Sequence, residues 1–173
     1  MRAALICTAV SLLVAPGAGI AQGERYPSKP IRFVLPFPAG GATDLVGRTV
    51  AEKLQEGLRH PVVLDFRPGA GGNLGTSIVA KSAPDGYTLL LCSPTLAISP
   101  SIYKNPGYDP LRDLAPISLA ATIPTLVVVH PSVPVRTVRD LIQLARKSPG
   151  KLNFGSGGVG SSNHLAGELF KSL

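Results

Sequence analysis

Two glycine-rich loops hold the residues best placed for chemistry. The first is Pro36-Phe37-Pro38-Ala39-Gly40-Gly41-Ala42-Thr43-Asp44, and the second is Gly155-Ser156-Gly157-Gly158-Val159-Gly160-Ser161-Ser162. Glycine has no Cβ, so the backbone can approach a ligand closely. A helix that starts just after such a loop aims unpaired N–H groups and the positive end of its dipole at that ligand. Two such loops, far apart in sequence, read as two jaws for one small anion.

The side chains near these loops each have more than one use. The Asp44 carboxylate, in the first turn of its helix, can cap the helix, contact a ligand amino group or hold a bridging water. Ser156, Ser161 and Ser162 can donate to a carboxylate, or Ser161 or Ser162 can serve as an N-cap. His164 can reach the cleft from one turn inside its helix or lie on the surface. Arg67 can pair a carboxylate or remain solvated. Gly155 to Gly160 also fits G-x-G-x-x-G, which after a strand and before a helix cradles a dinucleotide pyrophosphate. That gives an alternative of a different class, a Rossmann-like nucleotide-binding enzyme. Gly160-Ser161-Ser162-Asn163-His164 approaches a nucleophile elbow, but His164 replaces the closing glycine. His60, His130 and His164 have no metal-ligand spacing around them, so no metal or cofactor is expected.

The elements that position these loops alternate between strand and helix, which predicts an α/β fold. Ile31–Leu35 reads as a buried strand. Val46, Val50, Leu54 and Leu58 form one face of a helix. Val62–Leu64 is a second strand. After Arg67-Pro68-Gly69-Ala70-Gly71-Gly72, Asn73 is expected to cap a helix burying Leu74, Ile78 and Val79. Ala83-Pro84-Asp85-Gly86 is a turn, and Tyr87–Cys92 a third strand. Three βα units in a row predict a parallel, doubly wound sheet. Residues 105–116 read as an irregular connection. Ile117–Ala121 and Leu126–Val129 are apolar runs split by Pro124, where the chain passes from one lobe to another. Thr137 and Asp140 form an approximate capping box for a helix through Leu141, Leu144 and Ala145. Leu152–Phe154 reads as a short strand before the second glycine loop. A last helix is expected to bury Leu165, Leu169 and Phe170.

The 173 residues open with Met1-Arg2, an apolar stretch from Ala3 to Val14, and small residues at Gly19 and Ala21. This is the pattern of a cleaved secretory leader, residues 1–21, too short to span a bilayer. Cys7 is not in a lipoprotein-like site. Loss of Arg2 takes the net charge from +7 to +6. Cys92 is then the lone cysteine, expected as a small core residue. The basic balance suits steering of an anion. Five Phe, four Tyr and no Trp, with no basic stripe among them, argue against nucleic-acid binding.

Several spaced segments together resemble one family. They are Tyr26-Pro27-Ser28-Lys29-Pro30-Ile31, Phe37–Asp44, Arg67–Asn73, Ala83-Pro84-Asp85-Gly86-Tyr87 and Phe154–Gly157. The chain from Tyr26 onward is similar to the Bug (Bordetella uptake gene) proteins, the periplasmic solute-binding proteins of tripartite tricarboxylate transporters. The resemblance implies a two-lobe, periplasmic-binding-protein-like (Venus flytrap) fold, with a small carboxylate in the cleft and no catalysis. It implies a monomer that hands its ligand to the transporter's membrane components. Ala39, Gly40, Gly41 and Asp44 would form the first jaw. Gly155, Ser156, Gly157, Gly158 and His164 would belong to the second, with Gly71, Gly72 and Ser161 counted among the ligand-binding residues. Phe66 stands where the family often has Asn. The first lobe is expected over residues 22–122, and the second from 123 to 173. In this fold class the first lobe is completed by sequence returning from the second, so the chain reads as an N-terminal fragment with an incomplete second lobe. A truncated relic without function is the remaining alternative.

Overall fold

The computed structural model of the chain describes residues 25–172. The leader lies outside the described residues. Strand β1 (Ile31–Leu35) is followed by helix α1 (Ala42–Leu58), strand β2 (Val62–Phe66), a 3-10 turn (Ala70–Gly72) and helix α2 (Asn73–Ala80). Strand β3 (Thr88–Leu90), helix α3 (Thr95–Ile102), helix α4 (Val138–Lys147) and helix α5 (Ser162–Lys171) complete the order. The three strands form a parallel sheet in the order β2-β1-β3. Ile31 to Leu35 pair in register with Val62 to Phe66, and Arg32 to Val34 pair with Thr88 to Leu90.

The apolar alternation decides where the core sits. β1 is central and buried on both faces, with Ile31, Val34 and Leu35 all at 0% exposure. Phe33, Leu35 and Ala51 form the core cluster, with Val50, Leu64, Phe66 and Leu89 packed against it. α1 packs on β1 and β2, while α2 packs on β1 and β3. Right-handed crossovers running in opposite directions put those helices on opposite faces of the sheet. Leu35 occupies the space in which a Gly47 Cβ would stand. Leu35→Ala should therefore destabilise the protein by about 2–5 kcal/mol, as large-to-small core changes do. Gly47→Ala should destabilise on its own yet recover part of that loss in the Leu35→Ala background. Urea unfolding of the four proteins of this cycle, each expressed from its own gene with whatever coding sequence follows Leu173, measures the coupling, and strict additivity would refute the packing argument.

The N-terminal segment is stapled to the turn before β3. The Tyr26 hydroxyl donates to the Gly86 carbonyl at 2.8 Å. Lys29 Nζ lies 3.2 Å from Asp85 Oδ2 and 4.3 Å from the Tyr87 ring centroid.

Several expectations need correction. Gly72, at φ +98°, is the N-cap of α2, and Asn73 is its first helical residue. Leu74 is exposed, since its face of α2 turns away from the sheet. β3 stops at Leu90, so Cys92 lies beyond the strand and is exposed. Leu152–Phe154 forms no strand; the apolar runs Ile117–Ala121 and Leu126–Val129, where Pro124 already weakened a strand reading, form none either. A strand exists only when a neighbour takes up its N–H and C=O groups, and none among the described residues does so here. Helix α3 went unforeseen, because its short span contains Pro100. On α5, Leu169 is 65% exposed. The capping box of α4 is present in full: the Asp140 N–H donates to Thr137 Oγ1, and the Thr137 N–H donates to Asp140 Oδ2.

Candidate functional site

The first glycine loop leaves the carboxyl end of β1. Gly41 is the N-cap of α1, with no side-chain cap, and Gly40 has φ +90° with open space around it. Asp44 is 7% exposed, and its Oδ2 accepts the Gly40 N–H at 2.8 Å. Its Oδ1 pairs with Arg48 Nε at 2.7 Å, and the Arg48 guanidinium lies 5.7 Å from the Phe66 ring centroid. Of the uses open to Asp44, this geometry favours holding the loop: Oδ2 is hydrogen-bonded to the loop backbone, while the buried Oδ1 meets the Arg48 charge without hydrogen-bond geometry. Phe66 helps by supporting the arginine that Asp44 pairs with.

The Gly40 hydrogen bond holds the Asp44 carboxyl below the ordinary carboxylate range; burial opposes this, and Arg48 adds to it. A folded-state value below the unfolded one gives stability that is complete above the unfolded value, about 4. It is lost as pH falls through the folded value. In the protein expressed from its own gene with whatever coding sequence follows Leu173, melting temperatures of wild type and Asp44→Asn should thus differ at neutral pH, begin to converge as pH falls below about 4, and meet only below the folded value. A difference that persists unchanged in acid would show that the carboxylate's charge is not what holds the loop.

The Arg-Pro-Gly loop leaves the carboxyl end of β2. Gly69, Gly71 and Gly72 all have positive φ, at +142°, +65° and +98°. The second glycine loop lies directly on it. A Cβ at Gly158 would stand 3.8 Å from Gly71 Cα, and a Cβ at Gly71 would sit 2.5 Å from the Val159 carbonyl oxygen. The Tyr103 hydroxyl, at the end of α3, donates to that same oxygen at 2.9 Å. A Cβ at Gly160 would meet Ile102, Tyr103 and Thr95 at 3.5–3.9 Å. Direct contact is thus between the second loop and the Gly69–Gly72 turn, whereas Gly40 and Gly155 both face open space.

Other candidates are engaged within their own segments. Ser161 is buried and is the N-cap of α5, accepting the His164 N–H at 3.2 Å. His164 Nδ1 accepts the Gly160 N–H at 3.5 Å, and its Nε2 is 3.9 Å from Glu168. Ser156 Oγ accepts the Gly158 N–H at 3.4 Å. Arg67 points back to Asp65 at 2.8 Å, where Arg32 also binds at 2.7 Å. Burial pushes Asp65 up, but the two arginines outweigh it and the net direction is down. The glycine loop at 155–160 has no strand before it, so the context a dinucleotide fingerprint requires is not formed.

A shallow cleft of about 10 Å³, room for about one water, lies at the carboxyl edge of the sheet. Pro36 and Phe37 enter it from β1, Gly71 and Gly72 from the β2 side, and Cys92 and Ser93 from β3. In a sheet ordered 2-1-3 the chain leaves β1 and β3 in opposite directions, and ligands bind where it does so. Asn73, Thr95 and Tyr108 complete the lining, which holds no charged residue. The Tyr108 hydroxyl donates to Asn73 Oδ1 at 2.9 Å, and burial pushes its phenol pKa up, so it remains a donor. Sequence reading missed Asn73, Tyr103 and Tyr108 as site residues. The two tyrosines come from a stretch of irregular spacing that carries no local motif.

A parallel α/β sheet with a neutral, glycine-lined cleft at its carboxyl edge is the architecture of periplasmic binding proteins. Two solved structures support this. The chain aligns with one described as periplasmic binding protein BugD at TM-score 0.75 and 35% identity, over 85% of this chain and 49% of that one. It aligns with R. palustris Rpa4515 with adipate at TM-score 0.81 and 39% identity, over 85% of this chain and 50% of the other. The family model described as tripartite tricarboxylate transporter family receptor matches residues 46–173. The chain belongs to that family, the Bug or TctC-like solute-binding receptors. Protein BugT of Bordetella pertussis is 42% identical over 159 residues, 89% of this chain and 49% of BugT. The chain spans about half the length of the curated relatives it matches.

Proposed function

We propose that this chain is the ligand-capturing N-terminal half of an extracytoplasmic solute-binding protein. It takes up a small carboxylate and delivers it to the membrane components of a tripartite tricarboxylate transporter. Residues 22–122 form the first lobe and the segment from 123 begins the second. The leader directs export and is removed near Ala21, leaving a periplasmic chain that works as a monomer and catalyses nothing. The observation that carries this reading is the cleft: backbone at Gly71 and Gly72, neutral hydroxyl and amide groups, and no charged side chain. A carboxylate held there is stabilised by oriented N–H and O–H dipoles. A related structure, Rpa4515, is described with adipate. Ala39, Gly40, Gly41 and Asp44 form one jaw. Gly155 to Gly158, Ser161 and His164 form the other, and Gly71 and Gly72 lie where the second loop meets the first lobe.

The test is calorimetry on the protein expressed from its own gene, with whatever coding sequence follows Leu173. A panel of mono- and dicarboxylates should include at least one stoichiometric ligand, and NAD and ATP should give no heat of binding. Dinucleotide binding without carboxylate binding would refute the reading. Intact mass of the exported protein should begin near Gln22, and a retained Met1 would refute the export step.

A further inference from the structure

The start of α1 places an acidic side chain beside free backbone donors. The N–H groups of Gly41, Ala42 and Thr43 have no partner among the described residues, while those of Asp44 and Leu45 are taken by the Gly41 carbonyl. An anion accepting those three N–H groups lies within one helical turn, about 5.4 Å, of the Asp44 carboxylate. Asp44 is held in place there: its side chain is 9% exposed, and its Oδ2 accepts the Gly40 N–H at 2.8 Å. Like charges that close repel each other. An aspartate at this position therefore opposes capture of a carboxylate unless its own charge is balanced. Arg48 is the cation beside it, with Nε 2.7 Å from Asp44 Oδ1.

The Arg48 side chain is 59% exposed, and an exposed arginine is held only weakly by ion pairing alone. Phe66 supplies a second hold. The guanidinium stands 5.7 Å from its ring centroid, within reach of a cation–π interaction. The ring packs against the core cluster of Phe33, Leu35 and Ala51, and Phe66 pairs in register with Leu35 at the end of β1. The platform under the arginine is thus fixed by the sheet.

Resting on the reading that Ala39 to Asp44 form one jaw for a carboxylate, we propose that Arg48 is a positioning residue whose charge cancels that of Asp44, with Phe66 holding it there. Asp44 shapes the loop through Gly40. Arg48 removes the repulsion that this aspartate exerts on an incoming anion. Phe66 matters to capture through Arg48 and makes no ligand contact of its own.

The experiment titrates the carboxylate panel, adipate and malate among it, into the protein expressed from its own gene with whatever coding sequence follows Leu173. Arg48→Gln keeps a polar chain without the charge and should weaken the tightest-bound acid by about tenfold, while Arg48→Lys should recover most of that loss. The deciding variant combines Asp44→Asn with Arg48→Gln. Asparagine keeps an oxygen for the Gly40 N–H and drops the charge, so the double variant should bind more tightly than Arg48→Gln alone, by about threefold or more. Phe66→Leu should weaken binding by about threefold beside Arg48 and have no further effect beside Arg48→Gln. Wild-type affinity in Arg48→Gln would overturn the proposal. So would a double variant that binds no better than Arg48→Gln, since a purely structural pair gains nothing from losing its second member. An equal Phe66→Leu effect in both backgrounds would overturn the part assigned to Phe66. Wild type binding no acid of the panel would overturn the carboxylate reading itself, and this inference with it.

Discussion

Replacing Gly71 with valine should lower carboxylate affinity by about 100-fold, equivalent to ~2.7 kcal/mol. Two causes add. Gly71 has φ +65°, where a β-branched residue is a genuine outlier. Its new Cβ would also stand 2.5 Å from the Val159 carbonyl oxygen and 3.1 Å from the Tyr103 hydroxyl. Neither neighbour can yield without parting the second glycine loop from the first lobe. Tyr103→Phe isolates the hydrogen bond from the steric effect. It removes the bond to Val159 and leaves the backbone in place, so the loss should be only about 3- to 10-fold, in line with the net worth of one hydrogen bond. Gly57→Ala on the open face of α1 is the control, because nothing lies within 4 Å of its Cβ position. Calorimetry on all three decides it. A Gly71→Val protein that binds as well as wild type would show that the contact between the loops has no part in capture.

The second large effect concerns the 173-residue polypeptide expressed by itself. It should show no sharp thermal transition and should bind a hydrophobic dye strongly. Ile117, Leu119, Leu126 and Val128 are 82%, 83%, 76% and 82% exposed. Burying such a side chain is worth about 1.5–3 kcal/mol. Four of them together forfeit a sum comparable to a domain's net stability of roughly 5–15 kcal/mol. α4 is in the same condition: Leu141, Ile142 and Leu144 lie on one face, and no residue of that helix is buried. A sharp melt that a carboxylate shifts upward would show that this polypeptide is a complete binding module.

The first lobe was largely legible because its signals are local. β1 has the bounds its apolar run predicts, and the α4 capping box and the Ser161 cap follow from residue type alone. β2 runs two residues further than expected because Asp65 breaks the apolar run. The structure places Asp65 beside Arg32 and Arg67, where a charge is tolerated. Runs such as Leu126–Val129 show what periodicity cannot reveal: it says that a segment can pair, and not that a partner is there. The glycine loops were visible by composition. Their contact was not, since it depends on Tyr103 and Val159, which are 56 residues apart. Asn73 was read as a cap because its residue type fits one. The positive φ of Gly72 moved the cap back by one residue and freed the Asn73 side chain for the cleft.

The central position of β1 also sets a clock for folding. β1 is made first, but it pairs with strands made later: Arg32 meets Val63 on one side and Thr88 on the other. The Tyr26 staple to Gly86 likewise closes only after 60 residues have been added. At translation rates of about 5–20 residues per second, that interval lasts roughly 3–12 s. During it the central strand has no partner on its β3 side, and non-local pairing is slow in any case. A chain wired this way stays threadable until β3 has been made, and only then can it complete its sheet.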